Sequence, residues 1–314
     1  MPGPELDQGI RRAPRDSRTR VHARVESHLL PYLMVAPLLC LIAVFVLYPM
    51  ARGALVSLYD ARDLVPRPEE FAGLANFVRL FRSEATATSI RVTVLYVAVT
   101  TGVTTLIGLA AALVLNASFR GRALFRAALT VPWGTPLVAS ALIWYWMFDP
   151  QYGIINYGVR LLGLSHGGIT WLLSPEWALP AVITVDVWRT FPFGALVLLT
   201  ALQAIDPDLY GVAAVDGAGP VATFRNVMLP SIRPSLVLLF LLYTIWGMKR
   251  FDTIWILTQG GPADTTNVLS VYIYREAFRN IRIGQASAMA MVGAALSLLV
   301  TIVYVIAEKR RGNA

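Results

Sequence analysis

Lysine is almost missing from this chain. Lys249 follows Met248 and Lys309 follows Glu308, so no Gly-Lys pair exists. A phosphate-binding loop of the form G-x-x-x-x-G-K-[ST] needs that pair, because its lysine reaches the terminal phosphates. The chain therefore cannot hold ATP by that device. Cysteine is equally scarce: Cys40 stands alone, which excludes an internal disulfide framework and leaves a small apolar side chain inside a greasy run. His22, His28 and His166 are scattered, and no His/Cys cluster has metal-ligand spacing. A membrane-embedded enzyme would want a convergent acid–base pair or an activated nucleophile. Asp149 and Glu176 flank one loop, but nothing in the pattern pairs them.

Charge is the most telling shortage. Of 314 residues only 15% are charged and 56% are hydrophobic, with a mean hydropathy of +0.59. A soluble domain of this length needs more charge to wet its surface, so the composition is that of an integral membrane protein. The net charge of +8 does not point to nucleic acid, because the excess sits in tails and loops that flank apolar runs.

Six runs are long enough to cross a membrane core, which takes roughly 20 helical residues. They are Leu29–Ala51, Ile90–Leu115, Ala123–Phe148, Trp177–Leu202, Ser235–Leu257 and Gln285–Ala307. The expected fold is all-α and membrane-embedded, with six transmembrane helices. Residues 1–28 form a polar, arginine-bearing tail with no small-residue cleavage site. Residues 29–308 form the membrane domain, with a distinct loop at 204–234, and residues 309–314 form a second tail. Placing both termini in the cytoplasm puts fourteen Lys and Arg in inner segments and nine in outer ones, the sense the positive-inside rule favours. The long connections at 52–89, 149–176 and 258–284 then face outward.

The 204–234 loop contains "LYGVAAVDGAGPVATFRNVMLP", from Leu209 to Pro230. Asp208 is placed to cap a helix beginning at Leu209. Val212, Ala213 and Ala214 give it a small, smooth surface, and Gly217 supplies a left-handed residue to end it. Pro220 suits the first turn of a second helix. Val221, Phe224, Val227 and Met228 share one stripe of that helix. Leu229-Pro230 is expected to stop it, and Pro234 to open the next span. The pattern fits an interfacial elbow between two spans, and it also fits a projecting helix that a partner's groove accepts.

This stretch resembles the cytoplasmic "EAA" loop of binding-protein-dependent ABC importer permeases. The pattern there is Glu-Ala-Ala, three residues, Gly, about nine residues, a hydrophobic residue and Leu-Pro. The chain keeps Ala213, Asp216, Gly217, Ala218, Phe224, Leu229 and Pro230, whereas Gly211 stands where Glu is usual and Val212 where the first Ala is. "GLANFVRLF" at 73–81, "VPWGTPLVASALIWYWMFDPQYGIIN" at 131–156 and "FDTIWILTQGGP" at 251–262 are similar to blocks of the carbohydrate-type (MalF-like, UgpA-like, SugA-like) permeases, in the same order.

The resemblance implies a MetI-like bundle that contributes half of a translocation pathway and no chemistry of its own. It implies as partners a second permease subunit, a dimer of ABC ATPases that binds ATP and Mg, an extracytoplasmic solute-binding protein, and a solute. The expected solute is a di- or oligosaccharide of trehalose or maltose type; the alternative is glycerol phosphate or a glycerophosphodiester. Gly211, Ala213, Ala214, Asp216, Gly217, Phe224 and Pro230 would carry the ATPase contact. A secondary transporter or channel is the alternative on hydropathy alone, and it would need no docking element.

Charges inside spans cost roughly 2.5–3.5 kcal/mol each at a helix centre. The fourth run holds Asp186 and Arg189, and the fifth holds Lys249, Arg250 and Asp252. Asp186–Arg189 and Lys249–Asp252 have i,i+3 spacing and can neutralise each other on one helix face. Arg250 has no partner by spacing. Trp188, Phe191 and Phe193 accompany the first set, and Trp246, Phe251 and Trp255 the second. Aromatic faces suit sugar C–H faces, and the charges suit hydroxyls. The expected pathway lining is Asp186, Arg189, Lys249, Arg250 and Asp252 with Trp188 and Trp246. Pro192 and Gly194 are expected to break the fourth helix in mid-membrane.

Overall fold

The computed structural model describes residues 32–63, 70–165 and 167–312. The tail at 1–28, the start of the Leu29–Ala51 run, Arg67 and His166 lie outside them. Among the described residues the chain is helical, with a lone antiparallel bridge between Tyr59 and Phe71. Two units divide after Arg52. The described part of the first is most of helix α1 (Tyr32–Val56), whose Leu38, Leu39, Phe45 and Leu47 are exposed.

In the second unit, α2 (Ala75–Arg82) leads into α3 (Glu84–Asn116). Ser83 caps α3 by accepting from the Thr86 N–H, and Glu84 complements the positive helix end. α4 (Arg122–Gly134) and α5 (Leu137–Met147) follow, then the short α6 (Ile154–Leu161) and the long α7 (Ala178–Gln203). α8 (Pro207–Val215) occupies the loop, and α9 (Pro220–Met248), α10 (Asp252–Leu257), α11 (Leu269–Tyr274) and α12 (Ile283–Gly312) complete the order. Among the described residues, five helices are long and apolar enough to cross a membrane, or six if the bent α4–α5 pair is one span, the number of runs in the sequence.

α7 is the hub. Over half of its apolar window is buried, 56% against 6% for α12, and its main neighbour is α3. Gly108 lets the two backbones meet: a Cβ there would stand 3.4 Å from Ala195 N and Phe191 O, the close approach that small residues allow in membranes. Gly194 leaves room for the Tyr243 hydroxyl of α9. One core layer gathers Tyr96, Val182, Val185, Ile254 and Val271, and another Leu115, Leu198, Leu202, Ile232 and Leu239.

Four expectations about helix breaks are corrected. The third span is not straight: α4 and α5 meet at 97°, because Thr135 precedes Pro136 and adopts an extended backbone. α7 runs unbroken through Pro192; the helix tolerates the lost N–H within a packed bundle. Leu229-Pro230 does not stop the loop's second helix, which continues as α9 through Pro230 and Pro234. A π-turn over Phe224–Met228 places the Leu229 N–H on the Phe224 carbonyl immediately before Pro230, which absorbs the missing donor. The fifth span breaks where continuity was expected, between Met248 and Asp252. At the other end α12 runs on through Lys309 to Gly312, so most of the 309–314 tail is helical.

The tight α3–α7 seam gives a direct test. Gly108→Val forces a side chain onto fixed backbone atoms and should cost about 1–3 kcal/mol. Thermal unfolding in detergent should show a lowered midpoint, whereas Gly102→Val, where a Cβ meets nothing within 4 Å, should leave it near the parent.

Candidate functional site

The break in the fifth span is a charged knot. Asp186, from the middle of α7, is fully buried. Arg250 Nε, on the unwound residues between α9 and α10, lies 3.2 Å from Asp186 Oδ2. The Tyr96 hydroxyl of α3 donates to the same oxygen, and Thr253 Oγ1 of α10 donates to Oδ1 at 3.1 Å. One carboxyl thus ties three membrane helices. The break also frees backbone groups, and Ser270 of α11 donates its hydroxyl to the Arg250 carbonyl at 2.5 Å. Irregular backbone at such a break is tolerated where protein supplies a replacement bond, as Ser270 does here.

The structure corrects the expected pairing. Among the described residues, the ion pair at this level runs between helices, Asp186 to Arg250, and not along them from Asp186 to Arg189 or from Lys249 to Asp252. Spacing alone left Arg250 without a partner; the partner comes from α7. Arg189, one turn beyond Asp186, is half-buried, and its Nε has no hydrogen bond among the described residues. It stands within electrostatic reach of Arg250, Asp186 and Asp252. Lys249 and Asp252 are exposed. Of the expected pathway residues, then, Asp186 and Arg250 are locked together, while Arg189, Lys249 and Asp252 remain open to a ligand or a neighbouring chain. Tyr96, Thr253 and Ser270 complete the knot and were not singled out in the sequence; a tyrosine within the long apolar run at 90–115 was the available signal.

Aromatic rings flank the knot on both sides. Trp188 meets Trp144 edge-on at 5.5 Å. Trp246 packs against Phe193 at 5.4 Å and Tyr243 at 6.0 Å, and Phe193 stacks on Trp133 at 5.7 Å. Phe251 and Trp255 stack at 5.5 Å beside Tyr274.

The second candidate site is α8. Its cap is Asp206, not Asp208: the Asp206 carboxylate accepts from the Asp208 N–H at 2.9 Å, and Pro207 fills the first helical position. The helix ends as expected at Gly217, with φ +72°. There Ala218 N–H reaches the Ala213 carbonyl at 2.9 Å and Gly217 N–H the Ala214 carbonyl at 3.1 Å, the paired bonds of a left-handed helix stop. One face looks inward, with Ala213 buried and Tyr210 packed on the core; burial pushes the Tyr210 phenol up. The opposite face is apolar and uncovered: Val212 and Val215 are 60% and 89% exposed, Leu209 and Ala214 border them, and Gly211 meets nothing. Asp216 and Pro230 are also exposed, Phe224 is half-buried, and Val221 is exposed off the expected stripe.

Residues 104–313 match the family described as "Binding-protein-dependent transport system inner membrane component". The trehalose/maltose transport system permease protein MalF of Thermococcus litoralis is 37% identical over 88% of this chain and 92% of its own length. The sulfoquinovosyl glycerol transport system permease protein SmoG of Agrobacterium fabrum is 35% identical over 88% and 89%. The sn-glycerol-3-phosphate transport system permease protein UgpA of Yersinia pestis is 31% identical over 87% and 92%. In fold, the chain resembles a chain in the crystal structure of a bacterial ABC transporter involved in the import of the acidic polysaccharide alginate. That likeness has a TM-score of 0.79 and 24% identity, covering 93% of this chain and 99% of the other.

Removing one side of the knot strands the other. Arg250→Ala should destabilise the protein by about 3–5 kcal/mol, because Asp186 stays buried without its cation. Asp186→Asn combined with Arg250→Gln should recover much of that loss. A thermal double-mutant cycle checks the non-additivity.

Proposed function

Because the chain belongs to the family of binding-protein-dependent transport system inner membrane components, we propose that it forms half of a solute pathway driven by a separate ABC ATPase. The observation that carries this is mechanical. The uncovered face of α8 is followed, after the Gly217 turn, by one helix of 29 residues, α9, that ends at the charged break. At 1.5 Å per residue this helix is about 43 Å long, enough to join a cytoplasmic contact to the far half of the membrane. A push on α8 is therefore delivered at Lys249–Arg250.

In this reading the termini and the 204–234 loop are cytoplasmic, residues 29–308 are the membrane domain, and the ATPase dimer grips Gly211, Val212, Ala214 and Val215. Gly217 and Asp216 hold the helix end, while Ala213 seats it on the bundle. A second permease subunit supplies the other half of the pathway, facing Arg189, Lys249, Asp252, Trp188 and Trp246. A solute-binding protein docks on the outer loops. ATP and Mg bind the ATPase, whose closure rocks the helices outward-open and whose hydrolysis resets them. The usual acidic residue is Gly211 here, so the ATPase contact relies on shape and apolar surface more than on charge.

The proposed solute is a di- or oligosaccharide, supported by the kinship with a trehalose/maltose permease and by the aromatic rings beside exposed polar groups. A second reading rests on charge. With Asp186 and Arg250 neutralising each other, Arg189 and Lys249 outnumber Asp252. That excess suits an anionic solute such as glycerol phosphate or a glycerophosphodiester.

Val212→Arg should abolish co-purification of the ATPase and solute uptake while the permease still inserts. Unchanged recovery of the ATPase would sink the coupling role. Neutralising Arg189, Lys249 and Asp252 one at a time should lower uptake in the reconstituted complex, and unchanged transport in all three would remove them from the pathway. Stimulation of ATPase activity by sugars or sugar phosphates, with the cognate binding protein, separates the two solutes.

A further inference from the structure

α6 is built inside out. It lies in the connection between α5 and α7, at the end of the bundle opposite α8, since the 26 residues of α7 separate the two. Its polar residue points inward: Asn156 is fully buried. The Asn156 amide donates to the carbonyls of Asp149 (3.2 Å), Pro150 (3.3 Å) and Ile169 (2.9 Å), and accepts from Ile169 N–H (3.1 Å) and the Trp171 indole (3.0 Å). Ile155 packs on the core, but a stripe of other apolar residues points outward. Ile154, Tyr157 and Leu161 fall on one stripe at i, i+3 and i+7, each more than half exposed, and Leu162 and Leu164 extend it. Arg160 stands beside the stripe, and Arg160 is the basic residue of the last turn.

A helix on a water-facing surface shows the reverse pattern. We propose that α6 lies flat in the boundary of the outer leaflet, its stripe among lipid headgroups and the first acyl carbons. Three observations select lipid as the occupant. The stripe continues the membrane surface, because α5 ends only seven residues earlier with exposed Tyr145 and Trp146. Tyr152 and Tyr157 are exposed on or beside it, and tyrosine prefers that depth. The single cation sits at the edge, where its stem can lie along the apolar surface while the guanidinium reaches phosphate. Through Asn156 and Trp171 the helix is tied to the cluster of Phe148 and Trp177 at the mouth of the bundle. A lipid-seated α6 thereby fixes the height of the outer loop on which a binding protein would land. The choice of the outer leaflet and this last role rest on the proposed orientation; the depth of α6 does not.

The test uses the full-length chain, assembled with its co-purifying subunits in nanodiscs of phosphatidylcholine and phosphatidylglycerol. In a Cys40→Ala background, spin labels are placed singly at Ile154→Cys, Tyr157→Cys, Arg160→Cys and Leu161→Cys. Collision with oxygen is compared with collision with a water-soluble nickel chelate. Labels at 154, 157 and 161 should favour oxygen several-fold over the label at 160, at a depth of about 5–10 Å. Equal nickel access at all four positions would place the face in water and overturn the proposal. Protection of 157 and 161 from both reagents would mean that protein covers the face, and would overturn it as well. A separate cysteine at Val215, probed with a membrane-impermeant thiol reagent from each side, tests the orientation independently.

Discussion

A buried carboxyl group organises this membrane protein. Asp186 sits where a lone charge would cost several kcal/mol even after relaxation, and two hydroxyl donors and a guanidinium from three elements converge on it. The consequence is geometric. α3 supplies the tyrosine, α7 the carboxyl, the break between α9 and α10 the guanidinium, and α10 a hydroxyl, so none of these elements can shift alone without stranding the others. Such a pair adds little net stability relative to a well-packed apolar core, but breaking it on one side is strongly unfavourable. It therefore fixes the relative positions of α3, α7 and the fifth-span break more than it adds to net stability.

That constraint gives α9 its mechanical sense. A helix transmits displacement only if both of its ends are held. The near end is held by the Gly219–Pro220 turn from α8 and by Val227 and Met228 packed on the lower core. The far end is held by Arg250 on Asp186 and by Ser270 on the Arg250 carbonyl. Pro230, expected as a stop, and Pro234, expected to open the next span, are instead both carried within this rod. The π-turn before Pro230 keeps the backbone bonded without interrupting the axis.

The sequence revealed the elements that follow from periodicity and composition, and it missed those that depend on partners distant in the chain. Six apolar runs, the left-handed stop at Gly217 and the first-turn Pro220 were legible because each is a local property. The cap was misread by two residues, because Asp206 and Asp208 are equally good acceptors and only Pro207 between them sets the start of α8. The Asp186–Arg250 pair was out of reach, since the two residues belong to different spans and i,i+3 spacing offered nearer but unused partners. Pro192 and Pro230 were expected to break helices because proline removes a donor, yet tertiary packing and a π-turn absorb that loss. The third span does bend at a proline, Pro136, but the break in the fifth span has none: it lies at Lys249–Phe251, where Arg250 reaches α7 and Ser270 supplies the replacement bond.

The same reasoning explains where polar groups are spent in a chain with so few. Among the described residues of the second unit, three of the buried polar side chains each answer a nearby irregular stretch of backbone. Asp186 answers the break in the fifth span. Asn156 gathers the carbonyls of the irregular segment after α5. Asn76, also fully buried, donates to the Ser57 and Tyr59 carbonyls where the chain leaves α1. Regular helix satisfies its own backbone and can present leucine and valine to lipid, whereas each interruption needs a donor or acceptor delivered from elsewhere. The interruption of the fifth span, at the end of α9, is the one answered by a full charge.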